Sequence, residues 1–368
     1  MAGHRARRRW LGVGLVALFA AGGVLALRRV DGNEVPRDPL GRLPADTDAL
    51  LVVDLRALRA SSAWRRLVVE RGGAEGLDRL RRRCGFDPLQ GVEQLTVWVG
   101  GAPERPLDGL AVQFLGHLPV ERLVGCLRTA VEADPSAGEL RQVELRGRPA
   151  LQSASGRSSA VALGDRLVLL GATQQLAAAL EVLDGERPSA QATFGTAWAA
   201  LSSGAQLVLL ARVRPAWFDR LPEGPLDVSA LRALQWLGVA VRLGPPVSMR
   251  LEARFASPEA AGRAAEDLRT MRRRLAALPT ALRGPFAEWL LGWRLETEGE
   301  RLLAEGSWEL DLLGRLLDAA LGAGAARPSA VGGGGEDDGS VEGQLQRFGG
   351  RPDGGFTPPQ PGVRDAGP

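Results

Sequence analysis

Acid–base and nucleophilic chemistry have few residues to draw on in this chain. Of its two histidines, His4 lies in an arginine-rich amino terminus and His117 stands alone in the rest. A Ser/His/Asp arrangement would have to rest on His117, which falls at an expected strand-to-helix turn where an exposed or capping imidazole is the simpler role. No GxSxG elbow is present, and a chain without lysine cannot form an SxxK or Walker A motif. Zinc would need CxxC pairs, HExxH or a further histidine near His117, and the sequence has none of these.

Carboxylates alone can hydrolyse a glycosidic bond when two face each other across a substrate. Asp46, Asp48 and Asp54 cluster around the first expected strand, and Asp46-Thr47-Asp48 has the oxygen density to attract calcium. The run lacks the Gly and Glu of an EF-hand loop, so strand termination and capping are the expected roles. Asp87-Pro88 is likewise a turn signal. Arg79 and Arg81 to Arg83 form a basic run that could meet phosphate; the solvated face of a helix burying Leu77, Leu80 and Cys84 explains it more simply. Trp289 and Trp293, four apart, could stack a ligand, and core packing is the favoured reading. No catalytic, cofactor-binding or metal residue is assigned, and no cofactor is expected.

The elements that would hold these residues begin with a membrane segment. Trp10 to Leu27, WLGVGLVALFAAGGVLAL, is uninterrupted and apolar, with Arg5 and Arg7 to Arg9 before it and Arg28 and Arg29 after it. As a helix it spans about 27 Å, close to the bilayer hydrocarbon core. The arginine bias places residues 1–9 in the cytoplasm and exports the remainder. A cleaved signal peptide ending near Ala20-Ala21-Gly22-Gly23 is the alternative; Val24 to Leu27 prolongs the apolar run past that point and favours an uncleaved anchor. Arg7-Arg8-Arg9-Trp10-Leu11 has a faint twin-arginine look that arginine-rich leaders share. Gly12 to Ala17 matches a dinucleotide fingerprint, but no strand precedes it, so that reading is discarded.

Charge and composition narrow the partners. The net charge is +3, yet six of the 46 basic residues lie in residues 1–30, which hold no acid. That leaves 40 basic against 43 acidic residues beyond, so the exported part is slightly acidic and carries no nucleic-acid footprint. Lysine, isoleucine and tyrosine are absent and Asn33 is the one asparagine, the mark of a GC-rich genome. Export permits a disulfide between Cys84 and Cys126, the two cysteines. Buried free thiols are the competing account, Cys126 lying near Leu123, Leu127 and Ala130 on an expected helix.

From Val30 to Arg42 runs a polar linker. Ala49 to Leu55 then reads as a buried strand, followed by a helical stretch from Ser61 to Cys84. Strands are expected at Leu95–Gly100 and Leu110–Phe114, with a helix opening at Pro119. Further strands flank Gly147, a hairpin turns at Gly164-Asp165, and a helix runs from Thr173 to Leu183. The unit then returns. Gln113–Thr129 lies over Arg254–Thr270, matching Phe114 to Phe255 and Leu123 to Ala264. Asp48–Leu58 corresponds to Ala205–Pro215, and Glu144–Leu151 to Glu296–Leu303. Ser257-Pro258-Glu259 is a strong helix start. These matches predict an α+β fold of two tandem βαββαβ-type repeats, residues 43–187 and 188–322. Their sheets would be antiparallel or mixed, with helices on one face, after an N-terminal transmembrane helix at 10–27 and a linker at 28–42. Residues 323–368, Gly/Pro-rich, are expected to be disordered.

Pro44-x-Asp46-Thr47 leading into Leu51-Val52-Val53-Asp54-Leu55, then Gly85-Phe86-Asp87-Pro88, resembles a group of uncharacterised exported bacterial proteins. These carry an amino-terminal membrane segment and a duplicated α+β region. The resemblance covers roughly residues 43–310 and implies an envelope location; it transfers no activity, substrate or catalytic residue.

The sequence therefore predicts a single-pass protein anchored in the inner membrane, with a periplasmic ectodomain that binds a protein or ligand without catalysis. A cleaved, secreted form is the alternative location. A structural spacer and a carboxylate-based envelope hydrolase rank behind binding. The expected partners are the membrane and an envelope protein or ligand, not nucleic acid.

Overall fold

The computed structural model describes residues 36–66, 78, 81–82, 84–87, 89–100, 109–123, 125–126, 140–214, 232–280 and 284–322. The expected span at 10–27 and the tail at 323–368 lie outside the described residues. Among the described residues, no helix is long and apolar enough to cross a membrane.

The apolar run ALLVVDL forms β1 (Thr47–Asp54). It stops one residue earlier than expected because the Asp54 carboxylate caps α1 (Leu55–Ala60), accepting from the Ala57 N–H at 2.8 Å. β2 (Val92–Gly100) and β3 (Leu110–Gly116) pair antiparallel, and a helical stretch begins directly after Pro119. β4 (Leu140–Leu145) and β5 (Arg148–Ser153) flank a turn in which Arg146 and Gly147 both take positive φ, 53° and 70°. Two positive-φ residues are what a tight hairpin's twist requires, which is why glycine stands there. β6 (Ser158–Leu163) and β7 (Leu167–Ala172) form the hairpin expected at Gly164, and α2 (Thr173–Leu183) follows with the expected bounds.

The second region opens with α3 (Gln191–Leu201), then β8 (Leu207–Arg212), β9 (Leu234–Leu243) and β10 (Val247–Phe255). Ser257 caps α4 (Pro258–Ala277) as its sequence signalled, its hydroxyl accepting from the Ala260 N–H. α5 (Pro285–Leu291), β11 (Arg294–Glu298), β12 (Arg301–Trp308) and α6 (Leu310–Gly322) complete the described chain.

The fold is α+β, and the described strands form one sheet of twelve in the order β11-β12-β10-β9-β8-β1-β2-β3-β7-β6-β5-β4. Every pairing is antiparallel, which corrects the mixed-sheet alternative. The two expected regions share this sheet, joined where β1 pairs with β8 from Ala49↔Ala211 to Val53↔Leu207. From that pair, β1-β2-β3 and β8-β9-β10 run outward as two meanders. The described strands number seven in the first region and five in the second, more than the four of a βαββαβ unit. The hairpins at Gly147 and Gly164 account for the extra strands of the first region, four where a βαββαβ unit has one.

Helices cover both faces, not one. On the first face Leu50, Val52, Trp98, Val208, Leu210 and Ala240 pack under α2 and α3 through Leu176, Leu180, Phe194 and Leu201. On the second, Val112, Phe114 and Val168 meet Leu55 of α1 and Leu123. Further along that second face, Ala253, Phe255 and Leu302 meet Ala260, Ala261, Ala264 and Ala265 of α4. Central strands that are apolar on both sides, as ALLVVDL is, must be covered on both sides.

Candidate functional site

The acids that carried the hydrolase reading are occupied by other groups. Asp48, 5% exposed, binds Arg214 through both oxygens, with Nη2 at 2.7 and 2.8 Å and Nε at 3.1 Å. Arg212 Nε approaches the same carboxylate at 3.8 Å. Asp46 pairs with Arg187 at 3.0 Å, and Asp54 is the α1 cap. Among the described residues no three His, Cys, Asp or Glu side chains gather as a metal ligand set. His117 is exposed, with Arg166 at 3.2 Å and Glu93 at 3.6 Å from its ring nitrogens.

Of the basic run, Arg81 and Arg82 are described, both exposed, and Arg81 is engaged. Arg81 bonds Asp87 at 2.7 Å and Asp78 at 3.0 Å, and the Asp87 hydrogen bond holds the guanidinium further toward its charged form. Arg79 and Arg83 lie outside the described residues. Trp289 and Trp293 meet edge to face at 5.2 Å, with Trp308 stacked on Trp289 at 6.1 Å and tilted against Trp293 at 5.1 Å. This is the packing role, since Trp293 is buried against Leu290 and Ala304. Cys84 and Cys126 are joined in a disulfide, both half-buried, which decides between the two accounts of the cysteines.

A concave site lies elsewhere, beside α3. Phe194, Ala197 and Leu201 seat this helix on Val208, Leu210 and Ala240, so it covers the first face only as far as β9. Beyond β9 no described helix covers the same face of β10, β12 and β11, which turns polar. The register sets Trp236 opposite Arg254, and Arg254 opposite Arg301, which in turn faces Glu298. Four residues along each strand, Arg250 faces Glu305 and Glu305 faces Arg294.

Two arginines directly opposite each other would repel, and neighbouring acids offset this. Arg254 pairs with Glu300 at 3.0 Å. Arg301 pairs with Glu298 at 2.8 Å and reaches Glu252 at 3.5 Å. Glu252 is 4% exposed, and its Oε2 accepts no hydrogen bond among the described residues.

The walls and floor enclose a cavity of about 620 Å³, lined by Thr193, Phe194, Thr196 and Ala197 of α3 and by Arg212, Trp236, Glu252, Arg254, Glu298, Glu300 and Arg301 opposite. Further along the same helix, past Ala200 and Leu201, a second cavity of about 470 Å³ is lined by Arg242, Ser248, Arg250, Arg294 and Glu305. Together they form a trough along α3, of the size that takes a ligand. The sequence reading missed these residues. Their signal was the period-two alternation of Arg250, Glu252 and Arg254 in β10, which marks a strand with one polar face.

No protein-family model and no curated protein matches the chain. A crystal structure of TP0453 (crystal form I) is similar at 13% identity and a TM-score of 0.41, covering 78% of this chain and 98% of that one.

Proposed function

We propose that the protein is a single-pass, membrane-anchored envelope protein whose exported α+β region binds a partner or ligand in the trough beside α3 without catalysis. In this reading residues 1–9 are cytoplasmic, 10–27 span the inner membrane and the sheet lies in the periplasm. One observation carries it: a sheet face that the described helices cover only in part, where a concave wall meets paired Arg and Glu side chains. The capture of Asp46, Asp48 and Asp54 by arginines and a helix cap gives the hydrolase alternative no support from those acids. Residues 43–187 and 188–322 are read as two copies of one ancestral unit. The matching outward meanders from the β1–β8 pair support that reading, as does the helix that follows the third strand of each on the same face.

The test is in-cell photocrosslinking of the full chain tagged after Pro368, with the crosslinker at Thr196 on the trough wall or at exposed Arg274 on α4 as control. A defined envelope component captured from position 196 and not from position 274 is the expected result. Recovery of nothing from either position, or identical products from both, would overturn the binding reading.

A further inference from the structure

We infer that the trough beside α3 takes a neutral, hydroxyl-rich oligosaccharide. This rests on the binding reading and names the ligand class for the same site. The argument starts from charge. The larger cavity is lined by three arginines, Arg212, Arg254 and Arg301, and by three glutamates, Glu252, Glu298 and Glu300. An anionic ligand would meet the glutamates and a cationic one the arginines, so a ligand of either sign gains little. A hydroxyl is neutral and both donates and accepts. Guanidinium and carboxylate groups held side by side, as in Arg254–Glu300 and Arg301–Glu298, offer adjacent hydroxyls one donor and one acceptor each.

Glu252 gives the second, independent observation. It is buried at the cavity floor with Oε2 unbonded among the described residues, and a carboxylate oxygen withdrawn from water costs free energy until a donor reaches it. A sugar hydroxyl would supply that donor, without adding a positive charge beside Arg301, once the Glu252 side chain turns Oε2 toward the cavity it lines. Trp236, half-buried at the β9 edge of the cavity, adds an aromatic surface for the apolar face of a sugar ring.

An extended peptide fits less well. Peptides commonly add to a sheet edge or set side chains into apolar pockets. The floor here is a sheet face whose backbone groups are bonded in the ladders of β9, β10 and β12, leaving recognition to side chains. The second cavity, further along α3, offers room for a further sugar unit.

The experiment applies the full chain, purified in a mild detergent, to an array of neutral and acidic oligosaccharides, then titrates the retained glycan by intrinsic tryptophan fluorescence. Saturable binding of a neutral oligosaccharide is expected. Its affinity should fall at least tenfold in Glu252→Gln and in Trp236→Ala, and stay within twofold in Arg315→Ala on α6. Thr196→Trp fills the trough from an exposed wall position and should abolish binding even where a floor variant folds poorly. Retention of no neutral oligosaccharide, or binding unaffected by Thr196→Trp, would overturn the inference. If a peptide library is captured instead and Thr196→Trp releases it, the glycan class falls while the binding reading survives. If the position-196 crosslinker also captures nothing in cells, both fall.

Discussion

Asp48 and Arg214 close an ion pair over the seam between the two halves of the sheet. Asp48 sits at the start of β1 and Arg214 just past the end of β8, so the pair ties together the two strands on which both meanders rest. Truncating one partner of a largely buried pair leaves the other charge without compensation, and Arg214 keeps partial access to water that limits the loss. Asp48→Ala is expected to cost about 2–3 kcal/mol, lowering the melting temperature by roughly 5–10 °C in a domain of this size. Asp46→Ala removes an exposed pair and should cost under about 1 kcal/mol. Thermal melts of the two variants give the comparison; equal losses would count against the seam role of Asp48.

Arg42 poses a different balance. It is fully buried beneath the first strand pair, donates to the Pro36 carbonyl and bonds Gln94 Oε1 at 2.5 Å. Burial pushes its pKa down to about 10, opposed by the charge of Asp38. The folded value lies below the unfolded one, so holding the charge costs stability at every pH below about 10. That cost is relieved only as pH climbs above about 10. Arg42 therefore contributes no slope to unfolding free energy between neutral pH and 9. Arg42→Ala should lose about 3 kcal/mol by stranding two acceptors over a cavity. Arg42→Met, which fills the space without a buried charge, should lose clearly less. Urea unfolding at pH 7 separates the two.

Much of the fold was legible because its signals are local. The Ser257-Pro258-Glu259 start, the Gly147 and Gly164 hairpins and the bounds of α2 follow from capping and turn chemistry within a few residues. Sheet order was not legible. That β1 lies beside β8, over 150 residues away, depends on which apolar faces meet after collapse. The trough was hidden for the same reason. Glu252 and Arg301 read as ordinary surface residues until β10 and β12 pair, and Thr196 lies on a helix with no charged residue to mark its polar side. The candidate acids were visible in sequence, but their partners Arg187 and Arg214 lie well over a hundred residues downstream.

The Cys84–Cys126 bond ties the helical segments on either side of the β2–β3 hairpin across 42 positions. Closing a loop of this length restricts the unfolded chain by about 4 kcal/mol in the chain-entropy account. Reduction, or the double change Cys84→Ser with Cys126→Ser, should lower the unfolding midpoint accordingly. A midpoint unchanged by reductant, with free thiols confirmed by alkylation and mass spectrometry, would count against this contribution.

The depth of the trough depends on Gly238, which lets the end of α3 settle on β9. A Cβ there would lie 2.4 Å from Leu201 Cδ1, 3.1 Å from Leu210 Cδ2 and 3.2 Å from the Trp236 ring. Leu201 and Leu210 are buried and have little room to yield. Gly238→Ala should therefore cost about 1–3 kcal/mol by overpacking and shift the emission of Trp236 as α3 lifts. Gly262 gives the opposite sign. It lies within α4, and a Cβ there meets nothing within 4 Å, so Gly262→Ala removes backbone freedom from the unfolded chain without a clash. A gain of about 0.5–1 kcal/mol is expected. Denaturant unfolding of the pair tests whether close seating of α3, as opposed to helix propensity, fixes the trough wall; a stabilised Gly238→Ala would show that α3 has slack and that its wall position is not set by this contact.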